Sequence, residues 1–525
     1  MGAVEDNARR VAALLRAAAA RGADLVVFPE LVLTGYPPRD LLERREFVEE
    51  VLAATERLAR VVPETPALVG TLARDRRGRL LNAAALLEGG RVRAIRAKAL
   101  LPAHDVFDEA RHFAPAPGPA RPLCVGERRV GVLLCEDLWD EGYARSPSQE
   151  LRRAGAQLLV CLNASPYRRG VVRARLNRAR RSELPLAYVN AVGAQDELIF
   201  DGSSFALDGA GRVLASLPPV REELGVVDLF APAAGEARVA EASLREALLC
   251  GLRGFVEKNR LPGVVVGLSG GVDSALVLCL AVEALGPERV LAVHLPSRFT
   301  STRSTRDARR LCARLEVPLE EISLEPLHRA AEQTLAPLGF SDRVSENAQA
   351  RLRALVLMAH VNRRGGALLN TSNKTELALG YGTLYGDLGG ALGVIADLNK
   401  TEAVALAREA YGDVIPASVL ERPPSAELAP DQVDPFDYPR IAPLVDLHVG
   451  GAGPAELVAA GATPAEAAWL VERVRASEFK RAQAPPGLKV SWKAFGSGRR
   501  IPQTHAHHRR RAPPQAGRRE PPASP

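Results

Sequence analysis

Three residues in the N-terminal half carry side chains suited to covalent amide chemistry, and each ends an apolar run: Glu30 after ADLVVFP, Lys98 after RVRAIRA and Cys135 after RRVGVLL. A thiol attacks carbon only as thiolate, a form that a neighbouring cation and the N-terminus of a following helix, here Glu136 to Trp139, both favour. A carboxylate beside the thiol can take its proton and return it to a leaving amine, and an ammonium can stabilise the oxyanion of a tetrahedral intermediate. These roles are complete without a histidine. Taken singly, each residue also has a plainer reading, as a solvated charge at a strand end or a small core cysteine.

A second group lies near the middle of the chain. Gly267, Leu268, Ser269, Gly270, Gly271, Val272, Asp273 and Ser274 set glycines and small hydroxyls between an apolar strand (263–268) and an apolar helix (275–285). Backbone N–H groups in such a turn can face a polyphosphate, with the helix dipole adding favourable potential. The lysine of the GxxxxGK[ST] loop is absent, which argues against γ-phosphoryl transfer.

The elements that must hold these groups are those of two α/β domains. The chain has 525 residues, 47% of them hydrophobic, and single cores stop growing at roughly 250 to 300 residues. Apolar runs at 23–28, 67–72, 130–135 and 157–162 alternate with helical or loop segments, so residues 1–230 read as one layered domain. Residues 231–245, around FAPAAGEARVA, read as a linker. Residues 246–496 open with helix, strand, glycine turn and helix, the start of a doubly wound parallel sheet. Residues 497–525 are expected to form a disordered basic tail, whose seven arginines and single Glu520 hold +6 of the formal charge of +7. The rest of the chain is therefore nearly neutral, and the tail lacks interleaved aromatics, so nucleic acid is not an expected partner. Six scattered cysteines without a CxxC pair exclude a disulfide framework or structural zinc site. No apolar stretch approaches the roughly 18 residues a membrane-spanning helix needs. A soluble, cytoplasmic protein without a membrane partner is expected.

The words around these residues carry a resemblance. FPELVLTGYPPRDLL (28–42), LP..VFDEARHF (101–113), GVLLCEDLW (131–139), NASPY (163–167) and FDGSSF (200–205) follow in the order of the nitrilase family's glutaminase branch. That resemblance implies an α-β-β-α sandwich, a catalytic triad of Glu30, Lys98 and Cys135, and Ser165 as a glutamine contact. Where the family usually has a glutamine-contacting tyrosine, this chain has His104. Where it usually has a lysine, this chain has Val171, with Arg168, Arg169 and Arg173 close by. The family also begins with a strand, whereas this chain enters its first helix near Asn7, so the first strand reads as missing.

SGGVDS looks like the pyrophosphate loop of ATP-dependent adenylating ligases. With SENAQARLR (345–353), LLNTSNKTELALGYGTLYGD (368–387), LNKTE (398–402), PPSAEL (423–428) and EFKRAQAPPGLKV (478–490), it resembles NAD⁺ synthetases from end to end. The resemblance implies ATP contacts along residues 267–274 and at Thr371. It implies contacts to the nicotinate-bearing dinucleotide from Asn347, Glu376 and Lys480, and Mg²⁺ held by Asp273 and Glu376. The expected reaction converts deamido-NAD⁺, glutamine and ATP to NAD⁺, glutamate, AMP and diphosphate, through an adenylated nicotinate and channelled ammonia, in a homo-oligomer with paired synthetase domains. The alternative is an ammonia-dependent enzyme whose first domain is a scaffold.

Overall fold

The computed structural model describes residues 1–61, 65–232, 237–430, 432–505 and 507. Helices Val4–Ala20 and Arg45–Val61 bury Val4, Val11, Leu15, Val48, Val51 and Leu58 at helical spacing. They cover the outer face of a four-stranded sheet ordered Val26–Val27, Ala67–Arg74, Leu80–Glu88, Arg91–Ala97. Its inner face meets a six-stranded sheet ordered Val213–Ser216, Phe205–Leu207, Leu186–Asn190, Leu158–Asn163, Arg128–Leu134, Leu123–Val125. Leu68, Ala84 and Leu86 from one sheet and Val132, Leu134, Val160 and Leu162 from the other interdigitate between them. Helices Pro147–Arg153 and Val171–Arg180 close the far side. This is the expected α-β-β-α sandwich. Among the described residues the first element is helix Val4–Ala20.

Ser243 starts the second half. Its hydroxyl accepts from Glu246 N (3.2 Å) while Glu246 Oε2 accepts from Ser243 N (2.8 Å), a capping box that fixes the start of helix Leu244–Lys258. A five-stranded, wholly parallel sheet follows, ordered Leu319–Glu321, Val290–His294, Val264–Gly267, Ala367–Asn370, Leu392–Gly393. Helix Val272–Leu285 is buried nearly all round, as its apolar composition requires. Strand order reverses between Val264–Gly267 and Ala367–Asn370, where doubly wound sheets open a crevice at their C-terminal edge.

The halves share a core. Hairpin Val192–Gln195 and Leu198–Asp201 lies on helix Leu244–Lys258, with Ile199 and Tyr167 packed among that domain's buried residues. A Cβ at Gly254 would sit 2.9 Å from that of Ala194, so glycine permits this approach. The start of the basic segment is docked, in contrast to the free tail expected from residue 497. Ser497 bonds Glu197, Arg499 pairs with Glu478 (2.6 Å) and Arg500 with Asp108 (3.3 Å). Glu478, buried, and Asp108, partly exposed, face these arginines, which composition alone does not carry. Residues 508–525 lie outside the described residues.

One close approach is decisive for the site below. A Cβ at Gly70, in the central strand of the first sheet, would lie 2.2 Å from Pro29 O and 2.5 Å from Leu31 N, backbone atoms on both sides of Glu30. Gly70→Ala is expected to cost about 3 kcal/mol and to lower the unfolding midpoint by about 6 °C or more, read by calorimetry. Gly118→Ala, whose Cβ meets nothing within 4 Å, serves as control. Equal midpoints for the two variants would refute this account of Gly70.

Candidate active sites

Glu30, Lys98 and Cys135 are brought together from the ends of separate strands into a nearly dry pocket. Glu30 and Lys98 are each 1% exposed. Lys98 Nζ donates to Glu30 Oε1 (2.8 Å) and to Glu109 Oε1 (2.6 Å). Glu30 Oε1 also accepts from Asn82 Nδ2 (2.7 Å), and its Oε2 accepts from Ala164 N (3.1 Å). Glu109 accepts further from Tyr36 OH (2.8 Å) and Asn82 Nδ2 (3.2 Å). Burial alone would lower the Lys98 ammonium, but Glu109 and Glu30 carry it well above the ordinary lysine range. Asp137 binds Ala99 N and Leu100 N (both 2.9 Å) and Leu134 N (3.1 Å), tying the end of the lysine strand to the end of the cysteine strand.

Cys135 feels opposing influences. Burial, and then the Glu30 charge, push its thiol well above the usual cysteine range, and Lys98 only partly offsets them. The following helix is a single short turn, Cys135–Leu138, whose first residues are the acids Glu136 and Asp137, so it adds little positive potential. Burial and the nearby Glu30 charge both favour the protonated form of this thiol. Cys135 also takes a left-handed backbone, φ +42°, sparsely populated for a side-chain-bearing residue and common where a turn must present a reactive group.

Ser165 follows Ala164 at the same pocket. Its N–H donates to Asn190 Oδ1 (2.9 Å), and Arg175, fully buried, donates Nε to Ser165 Oγ (3.2 Å) and Nη2 to Ser165 O (2.7 Å) while gripping Asp201 with two bonds of 2.9 Å. His104 is 63% exposed and lies 3.5 Å from Glu136 Oε1, which also accepts from Tyr143 OH (3.0 Å). Val171 is 2% exposed and turned into the fold. Of the nearby arginines, Arg168 stacks over Trp492 and Arg169 pairs with Glu402. The sequence reading passed over Glu109 and Glu136. Both lie inside the quoted strings, but only the fold shows them facing the site.

In the second domain, the turn from Leu268 to Gly271 leads into helix Val272–Leu285. Gly270 has φ +87°, and a Cβ there would meet Ser304 O at 2.8 Å. Gly271 N donates to Ser269 Oγ (3.2 Å), and Ser269 and Ser274 hydroxyls bond at 3.0 Å, holding the loop shape. Arg422 reaches across to Gly270 O (2.5 Å), which brings a cation to the loop that sequence reasoning did not assign. Thr371 follows strand Ala367–Asn370, the parallel neighbour of Val264–Gly267, so it emerges at the same sheet edge.

Asp273 and Glu376 converge on Lys400, which bonds both, Glu376 Oε1 at 3.3 Å. Burial, chiefly, raises the Glu376 carboxyl to about 7. Asp273 Oδ1 is buried without a hydrogen-bond partner among the described residues. Hard carboxylate oxygens with spare acceptor capacity fit a divalent cation such as Mg²⁺. Asn347 and Lys480 meet the loop after Glu376's helix: Thr383 Oγ1 donates to Asn347 Oδ1 (2.7 Å), and Lys480 Nζ donates to Gly380 O (3.0 Å) and Gly382 O (2.9 Å).

Comparison with known proteins finds the two domains in the same order. A family model described as carbon-nitrogen hydrolase matches residues 2–239, and one described as NAD synthase matches residues 244–484. Glutamine-dependent NAD(+) synthetases of Synechocystis sp. and Xylella fastidiosa are each 40% identical, covering 97% of this chain and 97% of theirs. The solved enzyme of that name from Acinetobacter baumannii, in complex with adenosine diphosphate, is 32% identical, covers 96% of both chains and superposes with a TM-score of 0.76. The one from Cytophaga hutchinsonii, 19% identical with 95% of both chains covered, shares the fold at a TM-score of 0.80. With a thiol, lysine and glutamates buried in one domain and a glycine-rich anion loop at the switch point of the other, the chain belongs to the family of glutamine-dependent NAD(+) synthetases.

Proposed function

We propose that Cys135 hydrolyses glutamine and that the ammonia released amidates an adenylated nicotinate in the second domain of the enzyme. The observation that carries this reading is the buried Cys135 thiol grouped with a Glu30 carboxylate that Lys98, Asn82 and Ala164 N hold in place. Glu30 takes the thiol proton as Cys135 Sγ attacks the side-chain amide carbon of glutamine, and Lys98 stabilises the oxyanion. Glu30 then delivers the proton to the departing nitrogen as the C–N bond breaks, releasing ammonia. Water, deprotonated by Glu30, cleaves the thioester to glutamate. Ser165 and His104 lie where glutamine would be held, and Glu136, next to the nucleophile, is suited to its α-ammonium group.

In the second domain, the backbone of Ser269 to Val272 and the helix N-terminus suit the phosphates of ATP, with Arg422 adding a cation and Thr371 at the same edge. The Acinetobacter baumannii relative, solved with adenosine diphosphate, supports an adenine nucleotide as a ligand of such an enzyme. The nicotinate carboxylate of deamido-NAD⁺, held near Asn347, Glu376 and Lys480, attacks the α-phosphorus and expels diphosphate; ammonia then attacks the carboxyl carbon and AMP departs. Asp273 and Glu376 would hold Mg²⁺, which when bound neutralises polyphosphate charge. A shared core keeps ammonia local, and the same reading includes a cytoplasmic homo-oligomer with paired synthetase domains. Buried Val171 and exposed His104 favour one rival, an enzyme fed by free ammonia with the first domain as scaffold.

NAD⁺ formation from deamido-NAD⁺, ATP and Mg²⁺, with glutamine or ammonium as nitrogen source, separates them. Cys135→Ala is expected to abolish glutamine-driven synthesis and spare ammonium-driven synthesis; a wild type that uses ammonium alone would establish the rival. Glu109→Gln is expected to lower only the glutamine-driven rate, by about a hundredfold, since Lys98 and Tyr36 lose their anchor. A rate within a few-fold of wild type would remove Glu109 from the mechanism. Asp273→Asn is expected to lower both rates by about a hundredfold, and a loss confined to glutamine would contradict its place in the ATP site.

A further inference from the structure

Residues 487–500 lie beyond the spans of both family models and cross from one domain to the other. On the synthetase side, Leu488 N donates to Gly393 O (3.1 Å), and Val490 N and Ser491 N donate to Asp397 Oδ2 (2.8 and 2.7 Å). Asp397 also pairs with buried Lys374 (3.1 Å), whose Nζ reaches Ser491 Oγ (3.0 Å). On the glutaminase side, Lys489 N donates to Glu197 O (2.8 Å) and Arg169 N to Val490 O (3.1 Å). The segment is thus stapled to both domains by its backbone.

Two of its lysines then meet on one residue of the glutaminase half. Lys489, 4% exposed, places Nζ 3.2 Å from Asp105 Oδ2, and Lys493 Nζ lies 3.3 Å from Asp105 Oδ1. Lys489 Nζ also donates to Ser491 O (2.7 Å) and Trp492 O (3.0 Å), so the buried ammonium is fixed in place where Asp105 supplies its opposite charge. Asp105 holds an unusual left-handed backbone, φ +51°. It heads the loop whose neighbours do the work described above: His104, beside Glu136, and Glu109, bonded to Lys98.

We infer that Lys489, with Lys493, is a positioning residue of the glutaminase site: by clamping Asp105, the C-terminal segment of the synthetase half sets the loop that brings Glu109 to Lys98 and His104 to Glu136. Glutamine hydrolysis then depends on side chains nearly 400 positions away in sequence, while the amidation step does not. This rests on the glutaminase reading above.

The test is the kinetics of NAD⁺ formation in Asp105→Asn, Lys489→Gln, the double variant and Lys489→Arg, each with glutamine and with ammonium. Asp105→Asn is expected to lower kcat/KM for glutamine by about tenfold or more, since small misplacements of catalytic groups are costly. Its ammonium-driven rate should stay within about twofold of wild type, and the double variant should lose no more than about twofold beyond the worse single one, because both break one contact. Lys489→Arg should recover most of the glutamine activity. A parallel fall with both nitrogen sources in Asp105→Asn, an unchanged kcat/KM for glutamine, or losses that multiply in the double variant would each overturn the inference. A wild type that cannot use glutamine overturns the glutaminase reading itself, whereas wild-type use of glutamine with an unaffected Asp105→Asn overturns the clamp alone.

Discussion

An ammonium sealed from water is the constraint around which the N-terminal domain is arranged. Lys98 is almost wholly buried, and a charge so placed is tolerable only if opposite charge and hydrogen bonds replace its hydration. Glu30 and Glu109 supply the charge, while Tyr36, Asn82 and Ala164 N–H occupy the remaining carboxylate lone pairs. Removing one member of such a set leaves an uncompensated buried charge, at a cost of about 3–5 kcal/mol. The ends of several strands are therefore bound to one point. Gly70 follows from the same demand, since the backbone around Glu30 has to lie directly on the central strand for its carboxylate to reach Lys98.

The second domain repeats the arrangement with a different outcome. Lys400 also bridges two carboxylates, Asp273 and Glu376, but these face the crevice at the switch point, and Asp273 keeps an unsatisfied oxygen. Burial depresses the Lys400 ammonium less than Asp273 and Glu376 raise it, so it stays charged. In the first domain the ammonium is locked on all sides; in the second it neutralises acids that retain capacity for another cation. One pairing rule thus builds a closed buried cluster in one place and, in the other, a pair of acids with an acceptor left open.

Between the sites, glycine allows intimate packing. Gly251 and Gly254 let helix Leu244–Lys258 lie against Ile199 and Ala194 of the first domain, and the C-terminal segment threads the same seam. The boundary near residue 240 marks a change in composition without marking a mechanical break.

Much of this was legible in one dimension because it depends on local physics. Period-two and buried apolar runs announce the strands, Gly270 and Gly271 announce a tight anion-facing turn, and the end of an apolar run is where a reactive side chain can leave a sheet. The positions of Glu30, Lys98, Cys135 and Asp273 follow from such rules. What tertiary structure decided is what depends on partners far away in sequence. Burial and Glu30, 105 positions earlier, push the Cys135 thiol up, against the cation that favours its thiolate. Glu109, Glu136, Lys400 and Arg422 sit in plain polar strings until the fold aims them at a site. Docking of residues 497–500 was hidden behind a basic composition because the carboxylates that receive them, Glu197, Glu478 and Asp108, come from three separate parts of the chain. Spacing along the chain sets which groups can leave a sheet edge; only long-range packing sets which of them meet, and with what charge.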